Sequence, residues 1–303
     1  MRDSSFYPQS LERGLRSERA LKLALAEMYV QGVSTRKVAA ITETLCGFEV
    51  SSTQVSQAAK ALDEHLQQWR ERPLKAYRYL YLDARYEKVR QGGCVVDCAV
   101  LTAIGIDEQG KREILGVSVA LSEHEVHWRT FLQSLTERGL HGMQLITSDA
   151  HAGLKAARRA VFPSIPWQRC QFHLQQNAQA HVPKQSLKKQ VANELRSVLT
   201  APSRAEADRL LNMVVTSYEK EAPLLAKWMA ENVPESLTVF DFPEEHRRRL
   251  RTSNVVERVN KEIKRRTRVA TLFPNPGSCE RLVTAVLMEL NDDWQTGIAY
   301  LTM

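Results

Sequence analysis

The sequence predicts an α/β protein, with a mixed five-stranded sheet interrupted by an all-helical insertion and preceded by a helical region. Three observations predict it. From Tyr77 to Leu121 three apolar runs, YRYLYLDARYEKV, CVVDCAVLTAIGI and REILGVSVAL, are joined by connections of only a few residues, which implies an antiparallel meander. Helical and short strand-like runs then alternate as far as Cys170. Residues 172–235 lose strand character and carry helical stripes alone.

The bounds are ordinary ones. A length of 303 residues suggests about two domains, and 43% hydrophobic with 25% charged residues is usual for a globular chain. Five scattered cysteines are odd in number, so they form no disulfide framework and fit a reducing cytoplasm. MRDSSFYPQS has no apolar core and reads as no signal peptide. No run approaches the ~18 apolar residues of a membrane span. The elements divide the chain into residues 1–73, 74–171, 172–245 and 246–303.

In order, residues 17–66 predict three helices. Leu21, Leu25 and Met28 stripe the first, which Gly32 closes. Ser34 or Thr35 caps a second carrying Val38, Ile41 and Leu45, broken by Gly47. Ser51 or Ser52 caps a third with Val55, Ala59, Leu62 and Leu66. Short helices with Gly-containing turns suit a helix-turn-helix, which would put Thr53, Gln54, Ser56 and Gln57 at the start of a recognition helix. A plain helical bundle explains the pattern equally well. Trp69 to Pro73 reads as the exit linker.

After the three strands, Ser122-x-x-Glu125 reads as a capping box opening a helix that buries Trp128, Phe131, Leu132 and Leu135. MQLITSD is a short buried strand finishing in Asp149. A helix from Gly153 to Val161 and a strand near Trp167–Cys170 follow. Three antiparallel strands, then helix, strand, helix, strand, is the element order of a ribonuclease-H-like sheet. In the insertion, Leu187, Val191, Leu195 and Val198 form one stripe. Leu210, Leu211, Val214, Val215 and Tyr218 form another, and Leu224, Leu225, Trp228 and Met229 a third. Pro274 and Pro276 read as a break before a last helix from Ser278.

Between His246 and Arg268 lie ten Lys or Arg and two acidic residues, a net +8 against +7 for the whole chain, so the basic character is local. Wound as a helix, Val255, Val256, Val259 and Ile263 gather on one side, while Glu257, Lys261, Lys264 and Arg268 stack opposite. A solvated helix with an i,i+4 Glu–Lys pair is the bland reading. The one-signed excess points instead to a polyanion, because each cation on a phosphate releases counterions. One carboxylate in such a stripe suits a divalent ion held against a phosphate. Asp83 ends the apolar part of the first predicted strand and Asp149 ends the fourth, and these two strands lie side by side in that sheet order. Three convergent carboxylates are hard ligands for Mg²⁺ or Mn²⁺. Two such ions ~3.5–4 Å apart can drive in-line phosphoryl displacement.

The segments FYPQSLER, ALAEMYVQGVSTRKV, YLYLDARYEKVR, TERGLHG, ITSDAHAGLKAA, WQRCQFHLQQN, SNVVERVNKEIKRRTRV and ATLFPN stand in the order of a known family. Over nearly the whole chain the sequence resembles the Mutator-type DDE transposases of bacterial insertion sequences. The resemblance implies a ribonuclease-H-like core with a helical insertion, and Asp83, Asp149 and Glu257 as its metal-binding triad with two Mg²⁺ or Mn²⁺ ions. It also matches Cys170-x-x-His173 to the family's motif at the start of the insertion. It implies double-stranded DNA as partner, at least a homodimer on DNA, and a bacterial, nucleoid-associated location. Family members carry further N-terminal residues ahead of this chain's start, so part of DNA-end recognition is expected there. The DNA contacts expected here are Arg251, Arg258, Lys261, Lys264, Arg265 and Arg268, with Gln54 and Gln57 from the N-terminal helices. A plain nuclease on the same fold, or a non-catalytic DNA-binding regulator, are the rival readings.

Other patterns resolve into simpler features. Cys170 and His173 alone are half a zinc site. Cys94 and Cys98 fall in a strand and read as buried small hydrophobes. His124-Glu125-x-His127 is one residue short of H-E-x-x-H. Gly105 to Lys111 mimics a phosphate loop but precedes a strand, so it is a hairpin turn.

Overall fold

The computed structural model describes residues 24–46, 50–60, 62–268 and 271–303. Leu21 of the first predicted stripe and the break at Gly47 lie outside them. The core is a five-stranded mixed sheet of order β3-β2-β1-β4-β5. Its strands are β1 (Tyr79–Gln91), β2 (Cys94–Ile106), β3 (Arg112–Ala120), β4 (Leu145–Ser148) and β5 (Trp167–Arg169). β1, β2 and β3 pair antiparallel, and β1, β4 and β5 pair parallel. The antiparallel connections are the two short turns expected. Gly92 and Gly93 take positive φ in the first, and Asp107 Oδ1 accepts from the N–H of Gln109 and Lys111 in the second.

β1 is central and covered on both faces, so Tyr79 to Asp83 are all buried although the strand alternates in type. Tyr79 and Tyr81 point into one core with Leu145 and the later helices. Leu80 and Leu82 point into the other with Trp128, Phe131 and Leu132. The helices on the second face are α5 (Glu125–Glu137) and α6 (Ala152–Val161). The first face carries α12 (Asn254–Thr267) and α13 (Pro276–Thr296), and the insertion joins the same apolar cluster. Each fully buried aliphatic side chain there contributes about 1.5–3 kcal/mol.

The insertion is helical, as α7 (Gln171–Ala180), α8 (Lys188–Leu199), α9 (Arg204–Tyr218) and α10 (Pro223–Asn232). Short 3₁₀ turns and α11 (Glu244–Leu250) lead back to the sheet. Val191, Leu195 and Val198 are buried as expected, but Leu224 is 78% exposed at the N-terminal turn of α10.

At the N-terminus, α1 (24–30), α2 (Thr35–Cys46) and α3 (Ser52–Lys60) share a small core of Leu25, Val38, Val50, Val55 and Ala58. The predicted third helix is in fact two. Leu62 follows α3 as a turn, and α4 (Asp63–Glu71) starts beside it, so Leu66 packs with Val30 and Ala285 instead of with α2. Trp69 to Glu71 is therefore helix rather than linker. α4 is fastened to the sheet domain by Arg281–Asp63 at 2.5 Å and by Arg72, which donates to Glu113.

Three smaller expectations are corrected. Ser122 forms no capping box: its Oγ accepts from His124 N–H, and α5 starts at Glu125, whose carboxylate pairs with Arg129. Pro276 is the first residue of α13 rather than a break before it, since its missing N–H costs nothing there, and Asn275 caps the helix by accepting from Ser278 N–H at 2.8 Å. Cys94 opens its strand at an exposed position, while Cys98 is buried.

Candidate active site

Strand pairing sets the first two carboxylates. β1 pairs with β4 so that Tyr81 faces Thr147. Asp149 follows Ser148, the last residue of β4, and its charge acts on Asp83. Asp83 shares the parity of Tyr79 and Tyr81, so its side chain leaves the sheet on the face that packs against α12. It is buried, and burial together with the charge of Asp149 raises its carboxyl to about 7. Asp149 also turns the chain, its Oδ1 accepting from His151 N–H at 3.1 Å just before α6.

α12 supplies the third. Val255, Val256, Val259 and Ile263 are buried as the helical spacing predicts, and Lys261, Lys264 and Arg268 are exposed. Glu257 differs from the prediction: it sits half-buried at the edge of the apolar face, with Oε1 enclosed and without a hydrogen-bond partner. One turn on, Asn260 donates to Asp83 Oδ2 at 2.8 Å and so ties α12 to β1 beside the paired carboxylates.

Cys170 and His173 complete this region. Cys170 ends the loop after β5 and begins α7, its backbone N–H donating to Ser148 at the end of β4. Its Sγ accepts from the N–H and hydroxyl of Ser253, the residue that precedes α12. Burial alone would raise the Cys170 thiol, but contacts with His173 and Ser253 outweigh it and bring it down. The contact with Cys170 raises the His173 imidazole to about 9, against the burial penalty, and the charges of Asp83 and Asp149 act in the same direction.

Sequence reasoning missed Glu123. It is buried next to Asp149, and its Oε2 lies 3.7 Å from His151 Nδ1. Burial raises its carboxyl, with Asp149 adding to the rise and His151 opposing it. Asn260 was missed as well; its place three residues after Glu257 on one helix face was the available signal.

Beside Glu257 opens a cleft of about 540 Å³ lined by Arg248, Arg249, Arg251, Arg258 and Lys261. Tyr300 forms one wall, between the guanidinium groups of Arg112 and Arg249. The C-terminal tail that carries Tyr300 crosses the β2–β3 turn at Gly110, where a Cβ would meet the Leu301 carbonyl oxygen at 1.8 Å. Of the other expected contacts, Arg265 is exposed but paired with Glu262 at 2.5 Å. Gln54 caps its own helix, as its side-chain oxygen accepts from Ser51 N–H at 2.7 Å and its N–H donates to Ser51 Oγ, a reciprocal capping box. Gln57 is exposed and unengaged on α3.

The residues present fit a divalent cation. A carboxylate whose charge is disfavoured by burial and by Asp149, and an enclosed carboxylate oxygen with no partner, are costly unless a counter-charge joins them. All three groups offer hard oxygen ligands. Fold and site together define an α/β protein with a cluster of carboxylates beside a cleft lined by Arg and Lys.

Residues 1–297 match the family model described as transposase, Mutator family. The chain is 60% identical over 303 residues to the transposase for insertion sequence element IS406 of Burkholderia multivorans, covering 99% of this chain and 78% of that protein. It is 45% identical to the transposase for insertion sequence element ISRM5 of Rhizobium meliloti, covering 100% and 76%. It is 38% identical over 297 residues to the transposase for insertion sequence element IS256 in transposon Tn4001 of Staphylococcus aureus, covering 97% and 76%. The chain belongs to the Mutator family of transposases. Among the described residues no helix is long and apolar enough to cross a membrane.

Proposed function

We propose that this chain is a DDE transposase of an insertion sequence, cleaving a DNA strand and joining the freed 3′-hydroxyl to target DNA on a ribonuclease-H-like core. The observation that carries the reading is the parallel β1–β4 pairing that brings Asp83 close enough to Asp149, the residue after β4, to feel its charge, with α12 bringing Glu257 beside His173 in the same region. The strand order, with three antiparallel strands followed by two parallel ones, supports the core assignment. Mg²⁺ or Mn²⁺ held by Asp83, Asp149 and Glu257 would supply activation of a water or 3′-hydroxyl and stabilisation of the leaving oxygen.

The chain's own residues do the rest. Asn260 fixes the orientation of the Asp83 carboxylate by hydrogen bonding to Oδ2. Arg251, Arg258 and Lys261 hold phosphates along the cleft, and Lys264, Arg268 and the partly neutralised Arg265 extend that surface along α12. The α1–α3 unit, with Gln57 exposed on α3, contributes to binding the element ends. Two ends must be held together for joining, so at least a dimer assembles on DNA.

The test is strand transfer by the purified chain on a labelled duplex bearing the element end, with Mg²⁺ or Mn²⁺ and with EDTA. The reading predicts metal-dependent joined product that falls on the order of a thousandfold or more in Asp83→Ala, since the lost ion contributes several kcal/mol. Binding with no cleavage or joining under any metal would replace it with a DNA-binding regulator, and cleavage without joining with a nuclease.

A further inference from the structure

We propose that Cys170, His173 and Glu257 form a binding site for a borderline-soft divalent cation, Zn²⁺ or a similar ion, distinct in chemistry from the carboxylate site. Two ligands three positions apart make at most half a site; the fold supplies the third. The Sγ, one imidazole nitrogen and one carboxylate oxygen of these residues lie within 4.8 Å of one another. Ligands on a tetrahedral zinc ion are about 3.3–3.7 Å apart, given metal–ligand bonds of about 2.0–2.3 Å, so closure needs only a small side-chain movement.

A second observation is independent of that spacing. His173 Nδ1 and Glu257 Oε1 are both enclosed and both lack a hydrogen-bond partner. Buried polar atoms are normally satisfied, and one ion between these two groups would satisfy both. A third concerns the sulfur. Cys170 is fully buried, yet its Sγ accepts from Ser253 N–H at 3.4 Å and from Ser253 Oγ at 3.3 Å. Donors aimed at sulfur favour the thiolate, which is the metal-binding form. Two elements make the site: the first turn of α7 carries Cys170 and His173, and the first turn of α12 carries Glu257. An ion there would clasp the start of the insertion to the helix that bears the third carboxylate.

Ligand type sets selectivity. Thiolate and imidazole suit Zn²⁺ or Co²⁺, whereas Mg²⁺ prefers an all-oxygen set and keeps its waters. Glu257 is common to both sites, so Zn²⁺ occupancy draws it away from Asp83 and Asp149. Inhibition of strand transfer by Zn²⁺ at fixed Mg²⁺ follows, a consequence that rests on the catalytic reading above.

Cobalt serves as the spectroscopic probe, with the full chain and no DNA. Titration with Co²⁺ is expected to give one equivalent of a tetrahedral complex with a near-ultraviolet thiolate-to-cobalt band. Stoichiometric Zn²⁺ should bleach the band, and a large excess of Mg²⁺ should not. Cys170→Ser should abolish it. Glu257→Gln and His173→Ala should weaken Co²⁺ binding by at least about tenfold, since even outer-shell changes cost 10–100-fold. Circular dichroism identifies any variant that fails to fold; if Cys170→Ser does, Glu257→Gln carries the test. Cobalt bound without a thiolate band, a band that survives in folded Cys170→Ser, or affinity unchanged in Glu257→Gln would each overturn the proposal. Strand transfer in zinc-free Mg²⁺ buffer tests the catalytic reading separately, because it needs no cobalt complex.

Discussion

The two ends of α12 treat charge in opposite ways. In its first turns Glu257 leaves an enclosed oxygen without a partner, and Asn260 uses its amide to hold a carboxylate from another element. In its last turns every buried charge is answered. Glu262 receives Arg265 and Arg266, and Arg266 also reaches both oxygens of Glu289 and the carbonyl of Val30. One helix of mixed charge is thus a structural clamp at its C-terminal end, while its N-terminal end carries an enclosed carboxylate oxygen without a partner. The difference teaches that charge density alone does not locate a site. Incomplete internal pairing does.

Within α12, breaking the clamp gives the largest expected effect on stability. Arg266→Ala leaves Glu262 and Glu289 short of a partner and removes the link to α1, costing about 3 kcal/mol in denaturant unfolding. Little change in unfolding midpoint would mean that the C-terminal end is no clamp. On the exposed face the outcome reverses. Lys261→Ala should change stability by no more than about 0.5 kcal/mol, while lowering the salt dependence of DNA affinity by roughly one phosphate contact. An unaltered salt slope would remove Lys261 from the DNA surface.

A further modest effect is a pH effect at Glu262. Hydrogen bonds from Arg265, then from Arg266, hold its carboxyl down at about 2, against an ordinary 4.5. A lowered carboxyl contributes stability that is complete above about 4.5 and is lost as pH falls towards about 2. Partial exposure and salt screening keep that contribution under about 1 kcal/mol. Glu262→Gln should flatten the acid limb of a stability–pH curve by that amount, and an acid limb of unchanged slope would count against the pairing.

Much of the acidic centre was legible because it follows local rules. The apolar run of β1 stops at Asp83, β4 stops one residue before Asp149, and the mixed sheet order makes these two strands neighbours. Glu257 stood out as one carboxylate in a basic helix. What stayed hidden depends on tertiary register. The rotation of α12 that turns Glu257 inward towards Cys170 and His173 is fixed by how α7 and α12 start, around Ser253, and no spacing in the chain encodes it. Glu123 was masked by its neighbours, since Ser122 and Glu125 imitate a capping box that the backbone does not form. The break between α3 and α4 was invisible because Ala59, Leu62 and Leu66 keep helical spacing across it. The cap at Gln54 was not foreseen because a residue at the start of a helix serves a cap as readily as a base contact.

On the proposed function, Asp83 and Asp149 are held together in readiness for a divalent cation. Thermal melting of the wild type and Asp83→Asn, with and without Mn²⁺, tests it most directly and needs no knowledge of the element ends. Burial and Asp149 raise the Asp83 carboxyl from 3.8 to about 7, so folding retains a proton there that the unfolded chain releases. Metal-free wild type should therefore lose stability as pH rises from about 4 through about 7, by up to about 4 kcal/mol. Asp83→Asn should lack that loss and melt higher than metal-free wild type at about pH 8. Mn²⁺ should restore the wild type and leave the variant unmoved; an equal response to Mn²⁺ in both would contradict the account.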